Sequence, residues 1–444
     1  MKFPLVLLPL FVVGCASYQP ITLPTDDALV RDVRRLKVDT ATMPDAGLRT
    51  HAFEPADGLD MTEVAMLAVV NNPDLRVLRA QAGITRAQAF SAGLLPDPQL
   101  ALTTEQVLGS PAGATIAYSA GLTFDVGALL ARSSIKGAAA SESRKADLDL
   151  LWQEWQTVAK ARQLFVKIDA VERSLDVLAR QQARLRDRLD LARRAVERGL
   201  LTNEAATPLL TAFDDAHAKS ADFERQRNQA RHDLAALLGV APEVELALTG
   251  RPDAATMDEA AVRDALAIAA KRRPDLLALQ AGLEAQDDRY RGAIQAQFPA
   301  ITVGPTRSRD TSNVNSAGLS LGIVLPLFNR NRGNIAIESA TRAKLLAEYQ
   351  QRLDATAGDA HRLLAEQALL RRQSADIAAS LPALEEAANR TGAAYLAGNV
   401  DAFALTSVEG ALTTRRLEQI AVDQALQEQA IALQALVGTP NHST

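Results

Sequence analysis

Residues 164–189 read LFVKIDAVERSLDVLARQQARLRDRL. Within them Leu164, Ile168, Val171, Leu175, Leu178, Leu185 and Leu189 fall in alternating steps of four and three, with Gln182 as the one polar interruption. Such spacing puts one apolar stripe along a helix, the seam of a coiled coil. Helical character around the seam extends from roughly Ala128 to Glu197. About seventy residues at 1.5 Å each reach roughly 100 Å, far beyond the width of a globular domain, so the helix must pack against others along its length.

A second copy follows. Adding 199 to each seam position gives Leu363, Gln367, Leu370, Ser374, Ile377, Leu384 and Ala388, and Leu381 stands where Gln182 was polar. The same offset carries Arg198-Gly199 onto Ala397-Gly398 and Leu238-Gly239 onto Val437-Gly438. Three agreements at one offset indicate a tandem duplication.

The chain has 444 residues, a formal charge of −5, 48% hydrophobic and 4% aromatic residues. That balance gives no basis for nucleic-acid binding or a disordered acidic tail. One cysteine excludes internal disulfides and cysteine-based metal sites. His51, His217, His232, His361 and His442 are scattered, with no pair at ligand spacing on one helix face. With no phosphate-cradling loop and no nucleophile beside a base, neither a metal site nor a catalytic site is read, and no enzyme activity or cofactor is expected.

The cysteine's position is informative. Lys2 precedes an apolar run, Phe3 to Val13, too short to span a bilayer as a helix and shaped like a secretory signal over residues 1–14. Val12-Val13-Gly14-Cys15 resembles a bacterial lipobox, which makes Cys15 the expected lipid anchor. Ala16, rather than an inner-membrane-retaining aspartate, follows it, so the outer membrane is the expected destination. Residues 15–60, with Pro20, Pro24, Pro44 and Pro55, read as an extended surface arm.

The first repeat covers residues 61–242. A helix from Thr62 to Val70 ends at Asn71-Asn72-Pro73, and Asp74 is expected to cap the next, which runs to about Gly93. The period then changes to two: Ile116, Tyr118, Ala120, Leu122, Phe124 and Val126 alternate with small or polar residues over 115–126. Residues 99–108 are a weaker partner strand, joined through Gly109-Ser110-Pro111-Ala112-Gly113. A soluble hairpin packed on a helix shows the same alternation, but beside an outer-membrane lipobox one apolar and one wet face suit a transmembrane β-barrel. The long helix ends at Gly199, with Thr202 or Asn203 capping a returning helix to about Leu238. That return is shorter than the outgoing helix, so a further partner is required.

Residues 243–257 are a linker. The second repeat, 258–438, repeats the order, with a helix over Asp258–Ala270, a break at Arg273-Pro274-Asp275-Leu276, and strands at about 300–305 and 317–325 around a polar loop, Arg307 to Ser316. Pro382 is expected to bend the second long helix. Residues 439–444 form a tail. Four strands cannot close a barrel, and open edges in lipid leave unpaired amides at several kcal/mol each, so several chains must share one. Two chains give a side-chain-filled eight-stranded barrel and three a twelve-stranded one with room for a lumen.

Over nearly the whole mature chain the sequence resembles the TolC-type outer membrane factor family. The likeness is carried by the lipobox, the duplicated units, Asn72-Pro73-Asp74-Leu75, Ala92-Gly93-Leu94-Leu95-Pro96-Asp97-Pro98 and the glycine-marked tips. Leu325-Pro326-Leu327-Phe328-Asn329-Arg330-Asn331-Arg332-Gly333 is similar to the heavy-metal efflux branch. The resemblance implies a mainly α fold, a homotrimer with a shared twelve-stranded barrel in outer-membrane lipid and a long α-helical barrel in the periplasm. It implies an exit duct fed by a periplasmic adaptor (a membrane fusion protein) and an inner-membrane pump of the RND type, with heavy-metal cations as cargo. Drug efflux, type I protein secretion and a non-conducting coiled-coil scaffold are the alternatives. The family's adaptor-contact positions map to Gly199, Leu200, Gly398 and Asn399. Its acidic gate, six positions after each tip glycine, falls on Ala205 and Ala404 and is not carried over. Glu204 and Asp401 are the nearest gate candidates, although solvated charge at a helix start is the plainer reading of both.

Overall fold

The computed structural model describes residues 17–44, 46–109 and 113–437. Cys15, the signal segment, the centre of the first hairpin turn and the tail lie outside them. After two single-turn 3-10 segments in the arm come α1 (Ala46–Thr50), α2 (Met61–Asn71), α3 (Pro73–Ala92), β1 (Gln99–Glu105), β2 (Ala117–Asp125), α4 (Val126–Glu197) and α5 (Asn203–Leu238). The second half supplies α6 (Glu259–Arg272), α7 (Pro274–Gln295), β3 (Ala300–Arg309), β4 (Asn315–Val324), α8 (Arg332–Leu396) and α9 (Ala402–Val437). No described helix is long and apolar enough to cross a membrane.

The seam of α4 is covered as its spacing requires. Ile168, Val171, Leu178, Leu185 and Leu189 are buried, and Gln182 donates through Nε2 to the carbonyl of Ala216 on α5 at 2.9 Å. The further partner is in the same chain: α3 and α7 pack on the first half of α4, and α5 and α9 on the rest. Ion pairs reinforce the first-half contacts, with Arg79 to Glu154 at 2.7 Å, Arg86 to Asp147 at 2.6 Å and Arg289 to Glu142 at 2.9 Å. In the second repeat α7 and α9 line α8 in the same way.

Both repeats are clasped at the same point. Asn72, not Asp74, caps α3, its Oδ1 accepting from the Leu75 amide at 2.9 Å, while its Nδ2 donates to the Leu237 carbonyl at 2.8 Å. Pro73 takes the first helical position, so Asp74 comes one residue too late to cap. In the second repeat Arg273 donates through Nη1 to the carbonyl of Leu436, 199 positions beyond Leu237, at 2.7 Å. Arg273 is 2% exposed, forks onto Asp275 at 2.9 and 2.7 Å, and lies 4.9 Å from the Trp152 ring centroid.

One further expectation is corrected, at the second hairpin. Pro382, where a bend is expected, lies within α8, which stays helical from Arg332 to Leu396. It forfeits one hydrogen bond in a helix braced by α9, and tertiary packing outweighs that loss. The second hairpin has a shorter loop than the charged residues suggest, because β3 stays paired as far as Arg309, opposite Asn315, and only residues 310–314 turn. Asp310 makes the tight turn possible by accepting the Ser312 and Val314 amides, each at 2.9 Å.

Candidate functional site: the sheet and the helix tips

The four strands form one antiparallel sheet in the order β1-β2-β3-β4, so the central β2–β3 pairing joins the two repeats. Directly opposed residues share a face. Leu100 and Leu102 therefore stand with Tyr118, Ala120, Leu122 and Phe124, then with Ile301, Val303 and Pro305, then with Leu319, Leu321 and Ile323. The other face carries Ser119, Gly121, Thr123, Thr302, Gly304, Thr306, Gly318, Ser320 and Gly322. At Gly304 a methyl group would land 1.6 Å from the Leu122 carbonyl oxygen, so the seam between the repeats needs glycine there.

The apolar face is exposed, with Leu319, Leu321, Leu100 and Leu102 all open. β4 has ten residues, a span of about 33 Å that at a tilt of about 40° rises about 25 Å, the height of a barrel's apolar band. Phe298 and Phe328, the latter 91% exposed, lie at the junction of sheet and helices, where an interfacial aromatic girdle belongs. The outer strands β1 and β4 each have one edge without a partner among the described residues.

At the opposite end the two helix tips are built alike. After α4, Gly199 has φ +68°, its amide donates to the Val196 carbonyl at 2.9 Å and that of Leu200 to Ala195 at 2.8 Å. After α8, Gly398 has φ +74°, with the Gly398 amide on Tyr395 at 3.0 Å and that of Asn399 on Ala394 at 2.9 Å. Both are Schellman closures, and every partner matches at the 199-residue offset. Thr202 then caps Ala205 at 3.2 Å and Asp401 caps Ala404 at 2.8 Å. Asp401, considered as a gate, thus has a carboxylate oxygen engaged by its own helix, while Glu204 lies exposed in the first turn of α5. Leu200 at 76% exposure, Leu396 and Phe403 give the tips an open apolar character.

Beyond the two chain neighbours, no atom of the described residues lies within 4 Å of a side-chain carbon added at Gly199 or Gly398, so substitution there meets only the backbone's left-handed conformation. Gly398→Val is expected to cost about 1–2 kcal/mol locally and Gly398→Asn distinctly less. Hydrogen exchange over residues 394–400 checks the order of the two. Equal protection in both variants would show that the turn does not depend on glycine.

Between sheet and tips, burial raises the pKa of Asp169 above its ordinary value against the pull of Arg173. The two line a cavity of about 290 Å³ with Arg251 and Asp423. Arg307 and Arg309, read from the sequence as loop, instead lie on the membrane-compatible face of β3. Strand alternation would have placed them there had β3 been extended past Pro305.

These features define a fold: two duplicated units, each pairing a hairpin with long antiparallel helices. It is the fold of outer-membrane efflux channels, and residues 265–439, most of the second repeat, match the family model described as outer membrane efflux protein. The crystal structure of CusC is similar over 92% of this chain and 98% of its own, at 19% identity and a TM-score of 0.74. VceC of Vibrio cholerae matches over 85% and 96%, at 16% identity and 0.72. The open-state MtrE channel of Neisseria gonorrhoeae matches over 96% and 98%, at 16% identity and 0.72. No curated protein matches the chain by sequence at a significant level.

Proposed function

We propose that the protein is the outer-membrane exit duct of a tripartite efflux system and performs no catalysis of its own. The observation that carries this reading is the open four-stranded sheet, apolar on one face and small and polar on the other, standing at the end of helices of 72 and 65 residues. Its two free edges need partners in lipid, and three copies would close twelve strands around a lumen. The helices would continue that lumen into the periplasm. Cys15, acylated, would tether the arm to the outer membrane.

The tips at Gly199, Leu200, Gly398 and Asn399 would receive a periplasmic adaptor, with the driving energy supplied by an inner-membrane pump of the RND type. Heavy-metal cations are the favoured cargo, supported by the resemblance of the Leu325–Gly333 segment to the heavy-metal efflux branch. Purified protein in planar bilayers is expected to conduct as a trimer. A monomer, or a trimer that stays silent, would remove the duct. A deletion strain should gain sensitivity to metal ions that the cloned gene restores. Sensitivity to drugs alone would keep the duct and change its cargo.

A further inference from the structure

We propose that Arg307 and Arg309 form a binding site for a phosphate-bearing lipid headgroup on the outward face of the sheet, beside the β3–β4 turn. The site rests on reading the sheet as part of a membrane barrel. Register places Arg307 opposite Ala120 of β2 and Ala317 of β4, and Arg309 opposite Tyr118 and Asn315. Toward the helices the same face continues as Pro305, Leu319 and Leu321, all apolar. An arginine facing lipid is costly at the bilayer midplane and nearly free at the interface. These two stand on the last rungs of the strand, at headgroup depth.

Arg309 is held in place. Its guanidinium lies 5.2 Å from the Tyr118 ring centroid, and Nη2 donates to the Ile116 carbonyl at 3.0 Å. Its Nε is buried without a hydrogen-bond partner. Arg307 is exposed and forms no ion pair among the described residues, and the alanines on either side leave room around its head. Two carboxylates stand nearby, Glu105 and Asp310, which line a cavity of about 250 Å³ together with Arg309. Asp310 accepts the amides of its own turn, and Glu105, opposite Ala117, lies on the other face.

Residues two apart on a strand are about 6.6 Å apart, close enough for one phosphate to meet the Arg307 fork together with Nη1 of Arg309. Free phosphate would use only the arginines. A phospholipid or phosphorylated glycolipid would also lay its acyl chains over the leucines beneath, and so is the better occupant.

The test uses full-length protein in detergent whose oligomeric state and bilayer conductance have been measured. It is titrated with bis-phosphorylated lipid A, the dephosphorylated lipid and inorganic phosphate, and bound species are read by native mass spectrometry. The phosphorylated lipid should be retained about tenfold more tightly than the dephosphorylated one. Arg307→Gln should weaken it several-fold, and Arg307→Gln with Arg309→Gln by more than about tenfold. Arg309 also holds the hairpin, so the single Arg307→Gln variant, which breaks no ion pair among the described residues, carries the decision. Unchanged retention by that variant, or equal retention of the two lipids by a conducting oligomer, overturns the site and leaves the barrel standing. Displacement by millimolar inorganic phosphate overturns the lipid as occupant. A wild-type protein that forms no conducting oligomer overturns the barrel reading and the site with it.

Discussion

Arg273→Ala should destabilise the protein by about 3 kcal/mol or more, the lower part of the range for breaking a buried ion pair by removing one partner. The side chains of Arg273 and Asp275 are 2% and 7% exposed, so deleting the guanidinium strands a carboxylate that water cannot reach. It also orphans the Leu436 carbonyl and removes the cation from the Trp152 ring. Arg352 limits the loss, because its Nη1 already stands 3.3 Å from Asp275 and, being half exposed, can move closer. Removing Arg352 alone should therefore cost less than about 1 kcal/mol. Replacing both members, as Arg273→Met with Asp275→Leu, should recover much of the stability, since the cost lies in the unpaired charge rather than in the missing bridge. Thermal melts followed by helical circular dichroism separate the three variants. A single alanine variant that melts with the wild type would show that the clasp between α7 and the end of α9 contributes nothing.

That clasp was not legible in the sequence. Arg273, just past the last turn of α6, reads only as part of a helix break, and its carbonyl partner lies 163 residues away. Asn72 gives the same lesson. Its type suits a cap, but the amide bond to Leu237 appears only when the helices are docked. What could be read was local and periodic. The seam spacing of α4, the glycines at 199 and 398 and the alternation in β2 each act within one or two turns, so composition and order suffice to place them. Register needed the partner strands. β3 looked finished at Pro305 because Arg307 and Arg309 interrupt the apolar alternation, yet pairing with β2 and β4 on both sides keeps the strand extended to Arg309. The cover over the first half of α4 was equally hidden, because α3 and α7 are held there partly by ion pairs whose charges look solvated in isolation.

Leu122→Lys should prevent assembly where Thr123→Lys should not, and this contrast tests the sheet's orientation most directly. The two residues are neighbours on β2, so they share depth and backbone environment and differ in face. Leu122 stands opposite Leu100 on the apolar side, and Thr123 opposite Gln99 on the polar side. A lysine facing lipid near the midplane costs about 2–4 kcal/mol. In a trimer three such sites act independently, for a total of roughly 6–12 kcal/mol, comparable with the whole stability of an ordinary domain. Thr123→Lys loses only the long hydroxyl contact to the Gln99 carbonyl, 3.4 Å in length, and places three ammonium groups beside water. It should insert normally and make the pore less selective for cations. Oligomer on unheated gels, yield in the outer-membrane fraction and reversal potential in planar bilayers read the two outcomes separately. Equal loss of assembly would mean that both faces of β2 are packed against protein, and a sheet so enclosed is not a barrel wall.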